Sequence, residues 1–192
     1  MNEPQIENGF AKVGAGVWLV GASQPTAVVG SCLPRSLKGW LVPDRSKLHL
    51  VEITEWACCG ASKRPFLTQV PCAAPLSVVS AKVLVAPAEG RQGAKVLRVI
   101  PFSFRNALCV TRFASEWVVL ATSSRTTRVS LQENELLTAR VESTVSWTTQ
   151  DPTGFVPRLG LGDILLPRQR DRNLMLHFYG PGVVWLEGSD AS

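Results

Sequence analysis

Leu176-His-Phe-Tyr-Gly-Pro-Gly-Val-Val-Trp-Leu-Glu-Gly188 is the stretch that decides the fold class of this chain. From Asn173 onward, Leu174, Leu176 and Phe178 recur at every second position, the spacing that puts alternate side chains on one face of a strand. Val183 and Trp185 continue the inward set after the reversal. Gly180, Pro181 and Gly182 form the structural turn. Pro181 presets φ, and Gly182 can take the positive φ that a type II turn demands. The stretch therefore predicts a strand, a tight turn and a returning strand, paired as a closing hairpin.

The same signal extends upstream. In Thr138-Ala-Arg-Val-Glu-Ser, Ala139 and Val141 are expected to face in while Thr138, Arg140 and Glu142 face out. Lys95–Ile100, Ala107–Phe113, Trp117–Ala121 and Thr127–Leu131 are short runs rich in Val, Ile, Leu and aromatics, bounded by turn formers. Leu131-Gln-Glu-Asn-Glu-Leu-Leu has helix-forming residues but is short, and reads as a turn between paired strands. Val17–Val20, Val28–Gly30, Leu48–Ile53 and Ser77–Val85 read as strands, with Pro34, Pro43, Pro65, Pro71 and Pro75 confining several of them to edges. Ala86–Gly93 could join two halves. We expect one all-β domain over residues 1–192, with 1–90 and 91–192 as candidate diverged halves.

Composition narrows the function classes. Hydrophobic residues make up 45% of the 192 and charged residues 18%, enough apolar surface for a core and too little charge for a disordered chain. The net charge of +5 is uneven: residues 91–128 hold seven basic groups against one acidic. Arg98, Arg105, Arg112, Arg125 and Arg128, with Trp117 among them to stack a base, form the candidate nucleic-acid contact. The alternative is a solvated strand face whose charges discourage edge-to-edge aggregation. The six Trp read either as core or as stacking platforms, and Trp147 or Trp185 could line a small-molecule pocket.

No catalytic constellation is legible. His49 and His177 are far apart in sequence, and His177 sits opposite the Leu174/Leu176/Phe178 face. Cys32, Cys58, Cys59, Cys72 and Cys109 contain no Cys-x-x-Cys pair, so neither a zinc site nor a cofactor is expected, and reduced thiols are. Gly14-Ala-Gly16 precedes an apolar strand and lacks the helix N-terminus of a phosphate loop. Glu3 and Glu7 lie in a start that has no basic region ahead of an apolar one, and Val13–Gly30 is too interrupted to span a membrane. A cytoplasmic setting is expected.

The C-terminal stretch also resembles the end of the mitochondrial-biogenesis family named for altered inheritance of mitochondria. Trp117-Val-Val-Leu-Ala, Thr127-Arg-Val-Ser-Leu and Glu135 through Trp147 follow the family's order, so the resemblance covers about residues 95–188. Asn134 stands where Gly is usual and Ser146 where Ala is usual. Residues 158–172 replace the family's Gly-rich segment, and 1–90 do not carry the pattern. The resemblance implies a folded-over β-sandwich or double-stranded β-helix-like architecture, similar to tryptophan RNA-binding attenuation protein, and self-association, with a trimer expected. The family has no agreed catalytic residues. The expectation is a non-enzymatic oligomeric scaffold or interaction protein, whose partner is itself, RNA or another protein. RNA binding through the basic zone and small-molecule binding in a β pocket are the alternatives.

Overall fold

The computed structural model describes residues 3–21, 25–33, 48–61, 64–72, 75–98, 107–155 and 174–188. They are all-β, with a single short 3-10 turn at Ser80–Lys82. In chain order the strands are β1 Gln5–Glu7, β2 Phe10–Gly21, β3 Pro25–Leu33, β4 Leu48–Ala61, β5 Phe66–Pro71, β6 Leu76–Val79, β7 Val83–Pro87 and β8 Arg91–Arg98. They continue as β9 Ala107–Phe113, β10 Trp117–Thr122, β11 Thr126–Leu131, β12 Leu136–Arg140, β13 Thr144–Trp147, β14 Thr153–Phe155, β15 Met175–Tyr179 and β16 Gly182–Glu187.

Two compact units result, and the division differs from the expected halves. Residues 1–95 and 109–125 form the first, residues 96–108 and 126–192 the second. The reason is pairing: β10 lies between β5 and β7, so Trp117–Thr122 belongs with the N-terminal strands. Ala86–Gly93 is not a linker either. Ala88 N–H donates to Val17 O at 3.1 Å, and Gly90 O accepts from Ala114 N–H at 2.7 Å.

The first unit is built on a sheet ordered β3-β4-β2-β7-β10-β5, with β1 beside the start of β2. Asn8 (φ +50°) and Gly9 (φ +77°) make the β1–β2 reversal, the paired positive φ values of a type I′ hairpin. The Asn-Gly dipeptide is its signal. Gly14-Ala-Gly16 sits inside β2, where the register against β4 shifts. Gly16 takes φ +150°, and the Trp18 indole N–H donates back to Gly14 O at 3.0 Å, closing the bulge. Trp18 then packs on Trp117, ring centroids 5.4 Å apart, within a core of Ala11, Val13, Ile53, Ala57, Leu84 and Val119. Strands β6, β7 and β10 are buried at every residue, as continuous apolar runs covered on both faces are.

The second unit holds two three-stranded antiparallel groups, β11-β16-β13 and β12-β15-β14. Here the expected hairpin is corrected. β15 and β16 do not pair with each other; β15 pairs with β12 and β14, β16 with β11 and β13. Because the two strands part, the reversal is a corner between sheets and not a type II turn. Its Gly180–Pro181 peptide is cis, and Gly182 takes φ +151°. The turn at 132–135 is corrected in the same way, because β11 and β12 also part into different sheets. The two corners abut. Gly180 N–H donates to Glu135 O at 2.9 Å, and Glu135 Oε2 accepts from Gln132 N–H at 2.6 Å. Asn134 takes φ +66°, a conformation that Gly adopts freely and Asn tolerates.

Between the two sheets lie Ala139, Val145, Trp147, Leu174, Leu176, Phe178 and Val184, all buried. Trp147 meets Phe178 edge-on at 5.6 Å. The Leu174/Leu176/Phe178 face is therefore inward as its spacing predicts. Val141 is only half-buried, because the chain turns there, and Val183 is half-buried while Val184 and Trp185 are buried. β16 runs between two neighbours and is covered on both faces.

Candidate interaction surface

The described residues offer little reactive chemistry. Among them no group of three His, Cys, Asp or Glu side chains could hold a metal ion. Burial pushes the Cys72 thiol up to about 11, against the opposing hydrogen bond with Ser115, so it stays protonated at neutral pH and is a poor nucleophile. Burial lowers the Arg91 guanidinium from its ordinary value. His49 is exposed on β4, opposite Val20 of β2.

The second unit instead presents an organised outer face. Alternation that sends Leu176 and Phe178 inward sends Met175, His177 and Tyr179 outward. Thr138, His177 and Thr153 stand in register across β12, β15 and β14. The Thr138 hydroxyl hydrogen-bonds His177 Nδ1 at 3.0 Å, and the Phe155 ring stacks on the imidazole at 3.9 Å with 5° between planes. Next to this stack, Leu136 and Tyr179 are cross-strand partners that remain 52% and 53% exposed. Two large side chains left in water side by side cost apolar hydration, which a partner surface removes. Arg140 and Glu142, 3.8 Å apart and both exposed, border the patch.

Along the same unit runs an open edge. Among the described residues β11 pairs only with β16, and β12 only with β15. Thr127, Arg128 and Ser130 of β11 and Leu136, Thr138 and Arg140 of β12 are exposed.

Arg112 on β9, Arg125 just before β11, and Arg128 on β11 are exposed, while Arg105 and the Arg98 side chain lie outside the described residues. Trp117 is corrected outright: at 1% exposure it packs on Trp18 in the core of the first unit and cannot stack a base. Trp147 and Trp185, at 0% and 8%, are core residues of the second unit. The indole N–H groups of Trp117 and Trp147 and the Ser146 hydroxyl have no hydrogen-bond partner among the described residues. The Leu136/Tyr179 pair has no signal in either strand alone, because it exists only in the register between them.

No protein-family model matches the chain. No curated protein matches it either. Among solved structures, the crystal structure of a Streptococcus pyogenes protein is similar with a TM-score of 0.68, covering 97% of this chain and 92% of that one. At 12% identity the likeness shows the fold alone. No described helix is long and apolar enough to cross a membrane.

Proposed function

We propose that the protein is a non-enzymatic scaffold that associates with itself, the second unit supplying the contact. The observation that carries this reading is the outer face of β12-β15-β14, where Leu136 and Tyr179 lie in register and more than half exposed beside the Phe155–His177 stack. The resemblance of residues 95–188 to the altered-inheritance-of-mitochondria family supports it, because that family has no agreed catalytic residues and its relatives self-associate.

RNA binding is the second reading. It keeps exposed Arg112, Arg125 and Arg128 as phosphate contacts and loses Trp117 as its stacking residue. Native mass spectrometry of the full chain, with the 260/280 nm absorbance ratio, separates the two. A closed homo-oligomer free of nucleic acid is the expected result. A monomer refutes the scaffold reading. Co-purifying RNA that is lost with added salt replaces it, since phosphate contacts release counterions.

A further inference from the structure

We propose that the protein pairs with a second copy through β12, the two strands running antiparallel about a two-fold axis at Thr138, so that two β12-β15-β14 sheets become one. The inference rests on the self-association reading and names its contact. Among the described residues β12 pairs only with β15, in register from Leu136 to Arg140 without a shift. It holds no proline, and its single charge, Arg140, stands at its last position. Apart from its shortness, the devices that close a sheet edge are absent.

The backbone groups on the open side follow from the ladder. Glu135 O accepts from Gly180 N–H and Val141 N–H donates to Leu174 O, so the odd-numbered residues turn their N–H and C=O to β15. These directions alternate along an antiparallel strand, and Leu136, Thr138 and Arg140 therefore turn theirs outward. Arg140 O is taken by the Ser143 and Thr144 hydroxyls at 2.9 Å. The N–H groups of Thr138 and Arg140 and the carbonyls of Leu136 and Thr138 have no further partner among the described residues.

Symmetry then selects the register. Outward residues must meet outward residues, so the axis passes through a residue and not between two. Full-length pairing of residues 136–140 puts it at Thr138. Thr138 N–H donates to Thr138 O of the second copy and Arg140 N–H to Leu136 O, each bond made twice. No bond of this ladder runs beyond the strand.

The side chains fit on both faces. Outside, Thr138 meets Thr138 of the second copy, a favourable cross-strand pair, with each hydroxyl also held by its own His177. Leu136, 52% exposed, lies opposite Arg140 of the second copy, whose aliphatic stem covers it while the guanidinium stays in water. An axis at Arg140 would instead set two guanidinium groups opposite each other. Inside, half-buried Leu137 meets Ala139 of the second copy, which completes its burial. A ladder this short lies at the small end of specific interfaces, so a reversible dimer is expected.

The test is sedimentation velocity on the full chain from micromolar to submillimolar concentration. Thr138→Pro removes an N–H that β15 does not use, and is expected to sediment as a monomer with an unchanged circular dichroism spectrum. Thr138→Val keeps that N–H and is expected to remain dimeric. Leu136→Arg faces Arg140 of the second copy twice, and is expected to raise the dimer dissociation constant about tenfold. Adding Arg140→Glu makes both pairs opposite in charge and is expected to restore it. Within one chain the two positions lie about 13 Å apart at about 3.4 Å per residue, beyond the screening length of about 8 Å, so the rescue reports on the seam. If Thr138→Pro fails to fold, the charge series still decides. An oligomer that Thr138→Pro leaves intact, or that the second charge change does not rescue, overturns the seam and leaves the scaffold reading standing, as does a trimer. A wild-type monomer overturns both.

Discussion

Replacing Gly180 by alanine tests the corner on which the second unit turns. A Cβ at that position would lie 1.9 Å from Gln132 O, and 3.0 Å from both Gln132 C and Leu131 Cβ. The nearest atom is backbone, so no side chain can rotate away. Ordinary contact begins near 3.4 Å, and the two corners must therefore separate by about 1.5 Å or distort. Separation sacrifices the Gly180 N–H bond to Glu135 O, a loss of about 0.5–1.5 kcal/mol. Overpacking of this kind adds about 1–3 kcal/mol. The sum, about 1.5–4.5 kcal/mol, corresponds to a fall in Tm of about 3–18 °C for a chain of this length. Gly14→Ala is the control, because a Cβ there meets nothing within 4 Å. It is expected to be neutral or slightly stabilising, through the reduced entropy of the unfolded chain. Urea and thermal melts followed by circular dichroism read both variants. Gly180→Ala melting within a degree or two of Gly14→Ala would refute the reasoning.

Three further outcomes follow from burial. Trp18→Ala empties the Trp18–Trp117 contact and frees Gly14 O, and is expected to cost about 3–5 kcal/mol in urea unfolding; a loss below about 1.5 kcal/mol contradicts the packing. Two buried serines should respond with opposite sign. Ser146→Ala removes a hydroxyl with no described partner and should be neutral or stabilising by about 1 kcal/mol, whereas Ser80→Ala strands the Thr111 hydroxyl bonded to it at 2.8 Å and should cost about 1–3 kcal/mol. Equal effects would show that Ser146 is bonded after all. Cys72, raised from 9.0 to about 11, holds its proton more tightly folded than unfolded. Its contribution to stability is complete below pH 9 and is lost as pH rises toward 11. Melts across that window should fall less steeply for Cys72→Ala than for wild type, and identical slopes would exclude the effect.

The candidate surface was half legible. Period-two spacing placed His177 on the less buried face of its strand, and the structure puts it there beside Phe155. The side chains that complete the face come from β12 and β14, which lie about 39 and 24 residues upstream and meet β15 only through register. In the basic zone the structure corrects one residue, Trp117. Its arginines were evident as a run of charge, yet Trp117 among them turned inward because β10 is sandwiched by β5 and β7.

Alternation, turn formers and apolar runs are local properties of neighbouring residues, and they alone determined that this chain is all-β, where most of its described strands lie, and that Leu174, Leu176 and Phe178 face a core. Which strand lies beside which is not local. β15 and β16 are joined by two residues and read as a hairpin, but each gains more by pairing with strands from elsewhere in the chain, so they diverge at Gly180–Pro181. Only tertiary structure decided that, because the free energy of a strand pair rests on the side chains opposite it and the layer packed over it. The same is true of Trp18, Trp117 and Trp147, whose burial was settled by their neighbours in space.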